Sequence, residues 1–269
     1  MAAVGQMDLG IEGRVAIVTG SSRGIGRAVA ERLCREGANV VLCARSQDSL
    51  AEAKRALEVL GRGKILAVEA DLTDPVAGGR VVEAAAAAWG RIDILVNNAG
   101  AARGIPFDEL TQELWLENLQ LKLFGYLRMA RLVLPHLRRN GWGRIVNVAG
   151  LAGLQPGPTS MPIGLNNAGV LNVMKALADG EATHNILVTT VCPGSILTER
   201  QTRLLQDLAR TKGISLEVAQ SEATSAIPLR RMGRPEEVAD VVSFLASERA
   251  SYITGSVVIV DGGLHRAMI

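Results

Sequence analysis

Short, almost continuously apolar runs alternate along the chain with segments of helical period. The runs RVAIVT (14–19), NVVLCA (39–44), KILAVEA (64–70), IDILVN (92–97), GRIVNVA (143–149), NILVTTV (185–191) and SVVIVDG (256–262) read as seven β-strands. Between them, segments such as GRAVAERLCREG and ELWLENLQLKLFGYLRMARLVLPHL repeat apolar residues every three or four positions, as one face of a helix does. Strands that are apolar on both faces and separated by helices predict a parallel sheet covered on both sides. Right-handed crossovers then give a doubly wound α/β fold.

Two stretches stand out. After Pro162, MPIGLNNAGVLNVMKALA (161–178) has helical spacing, with the proline at or near its first turn. Its first turns carry Ile163, Gly164, Leu165, Asn166 and Asn167, with no titratable group before Lys175. Residues 194–233 break the strand–helix alternation; they are rich in Arg, Gln, Ser and Thr and hold two weak helical patches. At the carboxyl edge of such a sheet this excursion is expected to be a lid or substrate-binding element, with a plain surface elaboration as the alternative. No repeat, low-complexity tract or linker divides the chain, so residues 1–269 are expected to form a single dinucleotide-binding domain.

Composition narrows the classes of partner. With 48% hydrophobic and 21% charged residues the chain has the make-up of a globular protein. A net charge of +2 with scattered basic residues, and only 3% aromatics, leaves no nucleic-acid platform and no membrane-binding patch. The N-terminal MAAVGQMDLGIEGR lacks the pattern of a signal peptide, and the apolar runs are too short to span a bilayer. Cys34, Cys43 and Cys192 show neither paired nor metal-ligand spacing and read as buried free thiols, which suits the cytoplasm. His136, His184 and His265 are far apart and read as solvated or capping groups rather than ligands, so no metal is expected.

The first strand runs into TGSSRGIG (19–26) and then a helix. Gly20, Gly24 and Gly26 allow a tight turn and close approach of backbone to a pyrophosphate, while Ser22, Arg23 and Ile25 complete the loop. The helix N-terminus beyond it offers N–H groups and a positive dipole end to phosphates. The second strand ends at Ala44-Arg45-Ser46, with no carboxylate before Asp48. Arginine there accommodates a 2′-phosphate where NAD binders place an acid, so Arg45 with Arg23 predicts NADP(H) in preference to NAD(H).

Further motifs follow in order: Asp71-Leu72 after strand three, Asn97-Asn98-Ala99-Gly100 after strand four, and Pro193-Gly194-Ser195-Ile196-Leu197-Thr198 after strand six. GRPEEVA (233–239) opens the last helix, and the chain closes with YITG (252–255) and DGG (261–263). Across residues 11–263 the sequence therefore resembles the short-chain dehydrogenase/reductase family, in the style of its bacterial ketoacyl-carrier-protein-reductase branch. The resemblance implies a Rossmann-type fold, usually a homotetramer or homodimer, acting on a small-molecule substrate. It implies that Asp71 and Leu72 flank the adenine and that Asn98, Ala99 and Gly100 line the cofactor. The turn holding Pro193, Gly194, Ile196 and Thr198 is then expected at the carboxamide.

The same resemblance exposes a gap. The family's chemistry is carried by a helix Asn, a Ser after strand five and a Tyr-x-x-x-Lys pair. Family spacing puts these at Lys122, Gly150, Ile163 and Asn167. The chain has two tyrosines, Tyr126 and Tyr252, followed four residues on by Ala130 and Ser256, so no Tyr-x-x-x-Lys occurs anywhere. Losing a positioned acid or base removes about 10²–10⁴-fold in rate. Two changes look reciprocal, Asn to Lys122 and Lys to Asn167. They predict that the Lys122 ammonium fills the space vacated at 167, hydrogen-bonded to Asn167 and desolvated near Ile163, as an altered proton donor. Lys122 reaching out to water is the alternative. Three functions are compatible: an oxidoreductase with an atypical site, a catalytically silent NADP(H)-binding or assembly protein, and a lyase or isomerase on the same scaffold.

Overall fold

The computed structural model describes residues 8–60, 62–100, 104–158 and 160–267. Half of the N-terminal stretch inspected for a signal, residues 1–7, lies outside the described residues. The strands are β1 (Val15–Thr19), β2 (Asn39–Ala44), β3 (Ile65–Glu69), β4 (Ile94–Asn97), β5 (Gly143–Val148), β6 (Ile186–Pro193) and β7 (Val257–Val260). They form one seven-stranded sheet, ordered β3-β2-β1-β4-β5-β6-β7, with every neighbouring pair parallel. The order reverses between β1 and β4, which opens a crevice at the carboxyl ends of the strands.

The helices are α1 (Gly24–Arg35), α2 (Gln47–Glu58), α3 (Ala77–Trp89), α4 (Gln112–Leu119), α5 (Gly125–Asn140), α6 (Met161–Glu181), α7 (Glu199–Lys212), α8 (Leu216–Thr224) and α9 (Pro235–Leu245). Alternate residues of each strand feed two separate cores. Ala16, Val18, Val40 and Leu42 pack with α1, α2 and α9. Ile17, Val41, Leu95 and Ile145 pack with α3, α5 and α6 on the other face. Burial on both faces is why the strands read as unbroken apolar runs rather than alternating ones. All three cysteines are buried free thiols. Among the described residues no helix is long and apolar enough to cross a membrane.

One expected helix is divided. The periodic stretch 113–137 forms α4, then a π-helical turn over Gln120–Phe124, then α5. A π turn lengthens the hydrogen-bonded loop and displaces backbone carbonyls. The Arg128 guanidinium collects the Gln120 carbonyl at 2.8 Å and the Leu72 carbonyl at 2.7 Å, and the Asn166 side-chain amide donates to the Asn118 carbonyl at 3.0 Å. The turn is thus stabilised by long-range partners that helical periodicity does not register.

The excursion at 194–233 contains α7 and α8, where the two helical patches were expected, capped by the Thr198 and Ser215 side chains. A parallel bridge between Ile196 and Gly233 closes its base.

Candidate active site

The glycine loop is built by close approach. Gly20 has φ +66°, and a Cβ on Gly26 would lie 2.3 Å from the Gly20 carbonyl oxygen and 2.4 Å from Asn98 Nδ2. The Gly20 and Ser21 N–H groups donate to the Cys43 carbonyl at 2.8 and 3.2 Å, and the Cys43 N–H donates to Ser21 Oγ at 2.9 Å. Beneath the loop, Thr19 Oγ1 accepts from the N–H groups of Asn98 and Ala99 at 2.9 and 3.0 Å. Asn98 Nδ2 returns a bond to the Thr19 carbonyl at 3.0 Å. The start of α1 has no acidic residue and no side-chain cap at Arg23, so its first N–H groups stay available to an anion. Ser22 is half-buried beside the exposed Arg23, and Ile25 packs down onto the core.

At the end of β2, Arg45 is exposed, and Ser46 caps α2 by accepting from the Ser49 N–H at 3.4 Å. The Asp71 carboxyl is held below its usual range, first by the Thr73 N–H, then by the Thr73 hydroxyl and the nearby Arg45 charge. Leu72 is buried at the foot of α5. Beyond β6, the Gly194 N–H donates to the Val260 carbonyl at 3.0 Å, and a Cβ on Gly194 would meet Asp261 Cβ at 2.7 Å. The turn from Pro193 through Ile196 to Thr198 therefore has one path. A cleft of about 230 Å³ lined by Gly24, Leu197 and Thr198 joins it to the glycine loop. The predicted cofactor residues all lie at the carboxyl ends of β1, β2, β3, β4 and β6.

The expected Lys122–Asn167 pair is not formed. Asn167 is buried, and its Oδ1 accepts from the Gly150 N–H at 2.9 Å, while its Nδ2 is buried without a hydrogen-bond partner. The Asn167 amide occupies its own space because Gly150 lacks a side chain; a Cβ there would lie 3.2 Å from Nδ2. Lys122 instead extends from the π turn toward Gly100, whose Cβ, if present, would lie 3.6 Å from Lys122 Cδ and 3.8 Å from Nζ. Its Nζ lies 5.8 Å from the centre of the Tyr126 ring. Lys122 is half-buried. Its ammonium forms no hydrogen bond or ion pair among the described residues, and burial, helped by the charge of Arg200, pushes its pKa down to about 8 against an opposing effect of Cys192.

Sequence reasoning missed two neighbours of this amine. Burial raises the Cys192 thiol to about 11, with Lys122 pulling the other way. Strand parity carried the signal, since Cys192 shares with Val188 the face of β6 that packs under α5 and α6. Arg200, in the first turn of α7, lowers the Lys122 pKa through its charge. Tyr126 is no substitute for the absent tyrosine. It is buried with its hydroxyl committed to the Val148 carbonyl at 3.1 Å, and burial raises its pKa above the ordinary range.

A protein family described as enoyl-(acyl carrier protein) reductase matches residues 20–265. The chain belongs to the short-chain dehydrogenase/reductase family. Among relatives, it is 40% identical over 259 residues to a protein of Streptomyces violaceoruber assigned as ketoacyl reductase 2 of granaticin polyketide synthase, covering 94% of this chain and 97% of that one. It is 36% identical over 254 residues to the 3-oxoacyl-(acyl-carrier-protein) reductase of Thermotoga maritima, covering 94% and 98%. L-sorbose reductase of Gluconobacter frateurii, solved with NADPH and L-sorbose, superposes with a TM-score of 0.94 at 36% identity over 97% of this chain and all of that one. This short-chain dehydrogenase/reductase thus keeps the family's sheet and a glycine loop in which an added side chain at Gly26 would strike the Gly20 carbonyl.

Proposed function

We propose that this protein is an NADP(H)-binding oxidoreductase whose site lacks the Ser and Tyr-x-x-x-Lys machinery at Gly150, Ile163 and Asn167, with Lys122 as its proton donor. The observation that carries the reading is the Lys122 ammonium against Gly100, with no hydrogen-bond or ion-pair partner among the described residues. Arg23 and Arg45 favour a 2′-phosphate. NADPH in the solved L-sorbose reductase supports the same choice. When bound, the nicotinamide supplies or accepts a hydride. Lys122 gives up a proton from Nζ and, at a pKa of about 8, is charged and competent to do so at neutral pH. Gly150 offers no hydroxyl to a carbonyl oxygen, so activated enones and quinones, which need less acid assistance, are the expected substrates.

The further parts of the proposal are a cytoplasmic homotetramer or homodimer, residues 194–233 serving as a lid, and one domain spanning the chain. A second reading, a catalytically silent NADP(H) binder, draws support from Asn167, whose amide is spent on the Gly150 backbone.

Steady-state NADPH oxidation against a 3-ketoacyl thioester, a simple ketone, an enone and a quinone tests both. Turnover of the enone or quinone, reduced about 10²–10⁴-fold in Lys122→Met with NADPH affinity retained, supports the oxidoreductase. Silence across the panel with NADPH still bound supports the binder. Ketoacyl reduction indifferent to Lys122→Met overturns the assignment of Lys122.

A further inference from the structure

Away from the nucleotide crevice, the excursion borders a second, solvent-open cavity of about 700 Å³ between α8 and residues 230–234. Its wall carries three guanidiniums, Arg230, Arg231 and Arg234, with Leu197 and Met232 as apolar surface and Glu217 as an acid. Arg231 is oriented by a bidentate pair to Glu237 at 2.7 and 2.8 Å. Glu237 also accepts from the Arg234 N–H at 2.7 Å, while the Arg234 side chain lies 4.0 Å from the same carboxylate. Arg230 pairs with no carboxylate among the described residues; its Nη1 donates to the Ser225 carbonyl at 2.5 Å, and its remaining donors are uncommitted. Three cations against Glu237 and Glu217 leave the cavity one positive charge in excess.

The backbone supplies an independent observation. Among described non-glycine residues only Asn185 and Arg230 have positive φ, and Arg230 stands at +55°. Asparagine tolerates that region, whereas arginine is strained there and glycine would be relaxed. A long cationic side chain held at a position that disfavours any side chain points to use of that side chain.

We propose that this cavity is an anion site that takes the phosphomonoester end of an organic ligand. Arg230 and Arg234 grip the phosphate oxygens with charge-assisted hydrogen bonds, and Arg231 stays locked on Glu237 as the rigid back wall. A volume of about 700 Å³ exceeds one phosphate and suits an organic molecule. Leu197, which lines both this cavity and the cleft by the glycine loop, joins the two. The apolar body of the ligand would run along it.

Binding of glycerol 3-phosphate, inorganic phosphate and succinate to the full chain, at constant ionic strength and with saturating NADP⁺ filling the nucleotide site, tests the proposal without reference to turnover. Calorimetry and thermal melting are the readouts. Glycerol 3-phosphate is expected to bind more tightly than succinate and to raise the melting temperature. Arg234→Gln should weaken it at least tenfold with an unchanged melting temperature in the absence of ligand. Arg230→Gly should melt higher than the wild type without ligand, as strain is relieved, yet lose the same binding. An unchanged phosphate response in both variants, or equal binding of succinate, overturns the proposal.

Discussion

In the proposed function Lys122 is the proton donor, and its surroundings decide its protonation. Gly100, the Tyr126 ring and β6 lie around an amine that has no hydrogen-bond or ion-pair partner among the described residues, and the charged form is penalised until its pKa falls to about 8. A proton donor with that pKa is present below pH 8 and lost above it. The rate of NADPH-dependent reduction should therefore fall tenfold per unit as pH rises beyond about 8. Lys122→Arg should move that limb upward, since a guanidinium stays charged, and initial-rate pH profiles of the two proteins decide the matter. Gly26 is constrained more simply. A methyl group there would lie 2.3 Å from the Gly20 carbonyl oxygen, so Gly26→Ala should cost about 1–3 kcal/mol. It should also weaken NADPH binding at least tenfold, read by chemical denaturation and fluorescence titration.

The π turn over Gln120–Phe124 is the element that aims Lys122, and Arg128 holds it by gathering the Gln120 and Leu72 carbonyls. Arg128→Ala would strand two part-buried carbonyls and should destabilise the fold by about 1–3 kcal/mol. If the turn positions Lys122, the same variant should move the basic limb of the pH profile upward as the amine gains water, a readout that a loss of stability alone would leave in place. The turn between β5 and α6 is likewise matched to its unusual residues. Asn167 bonds the Gly150 backbone across a gap that exists because neither position carries the family's side chain. Gly150→Ser, Ile163→Tyr and Asn167→Lys introduced together should raise reduction of a simple ketone above that of the natural chain. Absence of activity in a folded, NADPH-binding triple variant would place the block elsewhere, with Lys122 the first suspect.

For the whole molecule, the half-buried Lys122 links stability to pH. The Lys122 pKa falls from 10.5 in the unfolded chain to about 8 in the folded one, so between these values the unfolded state binds more protons and stability rises with pH. The difference in unfolding free energy between Lys122→Met and the wild type should favour the variant at pH 7 and shrink from pH 8 toward pH 10.5. Denaturant titrations of both proteins across that range isolate this group from every other one titrating there.

Much of this molecule follows from local pattern. Seven apolar runs separated by helical periods specify a doubly wound parallel sheet, because strands buried on both faces admit no polar alternation. The glycine loop and the motifs after β3, β4 and β6 mark the crevice, since backbone approach to phosphate demands glycine at set spacing. The absence of Tyr-x-x-x-Lys is likewise a property of the chain as written. What the sequence could not determine is the direction in which side chains point. Lys122 and Asn167 look like an exchanged pair on paper, yet the π turn sends one toward Gly100 and β6 while the other closes on Gly150. The strain at Arg230 and the cavity behind it are equally invisible to periodicity, because both arise where residues distant in sequence close the excursion through Ile196 and Gly233. Backbone pattern is a local property of hydrophobic spacing; the orientation of a reactive group is set by long-range partners and exists only once the chain has folded.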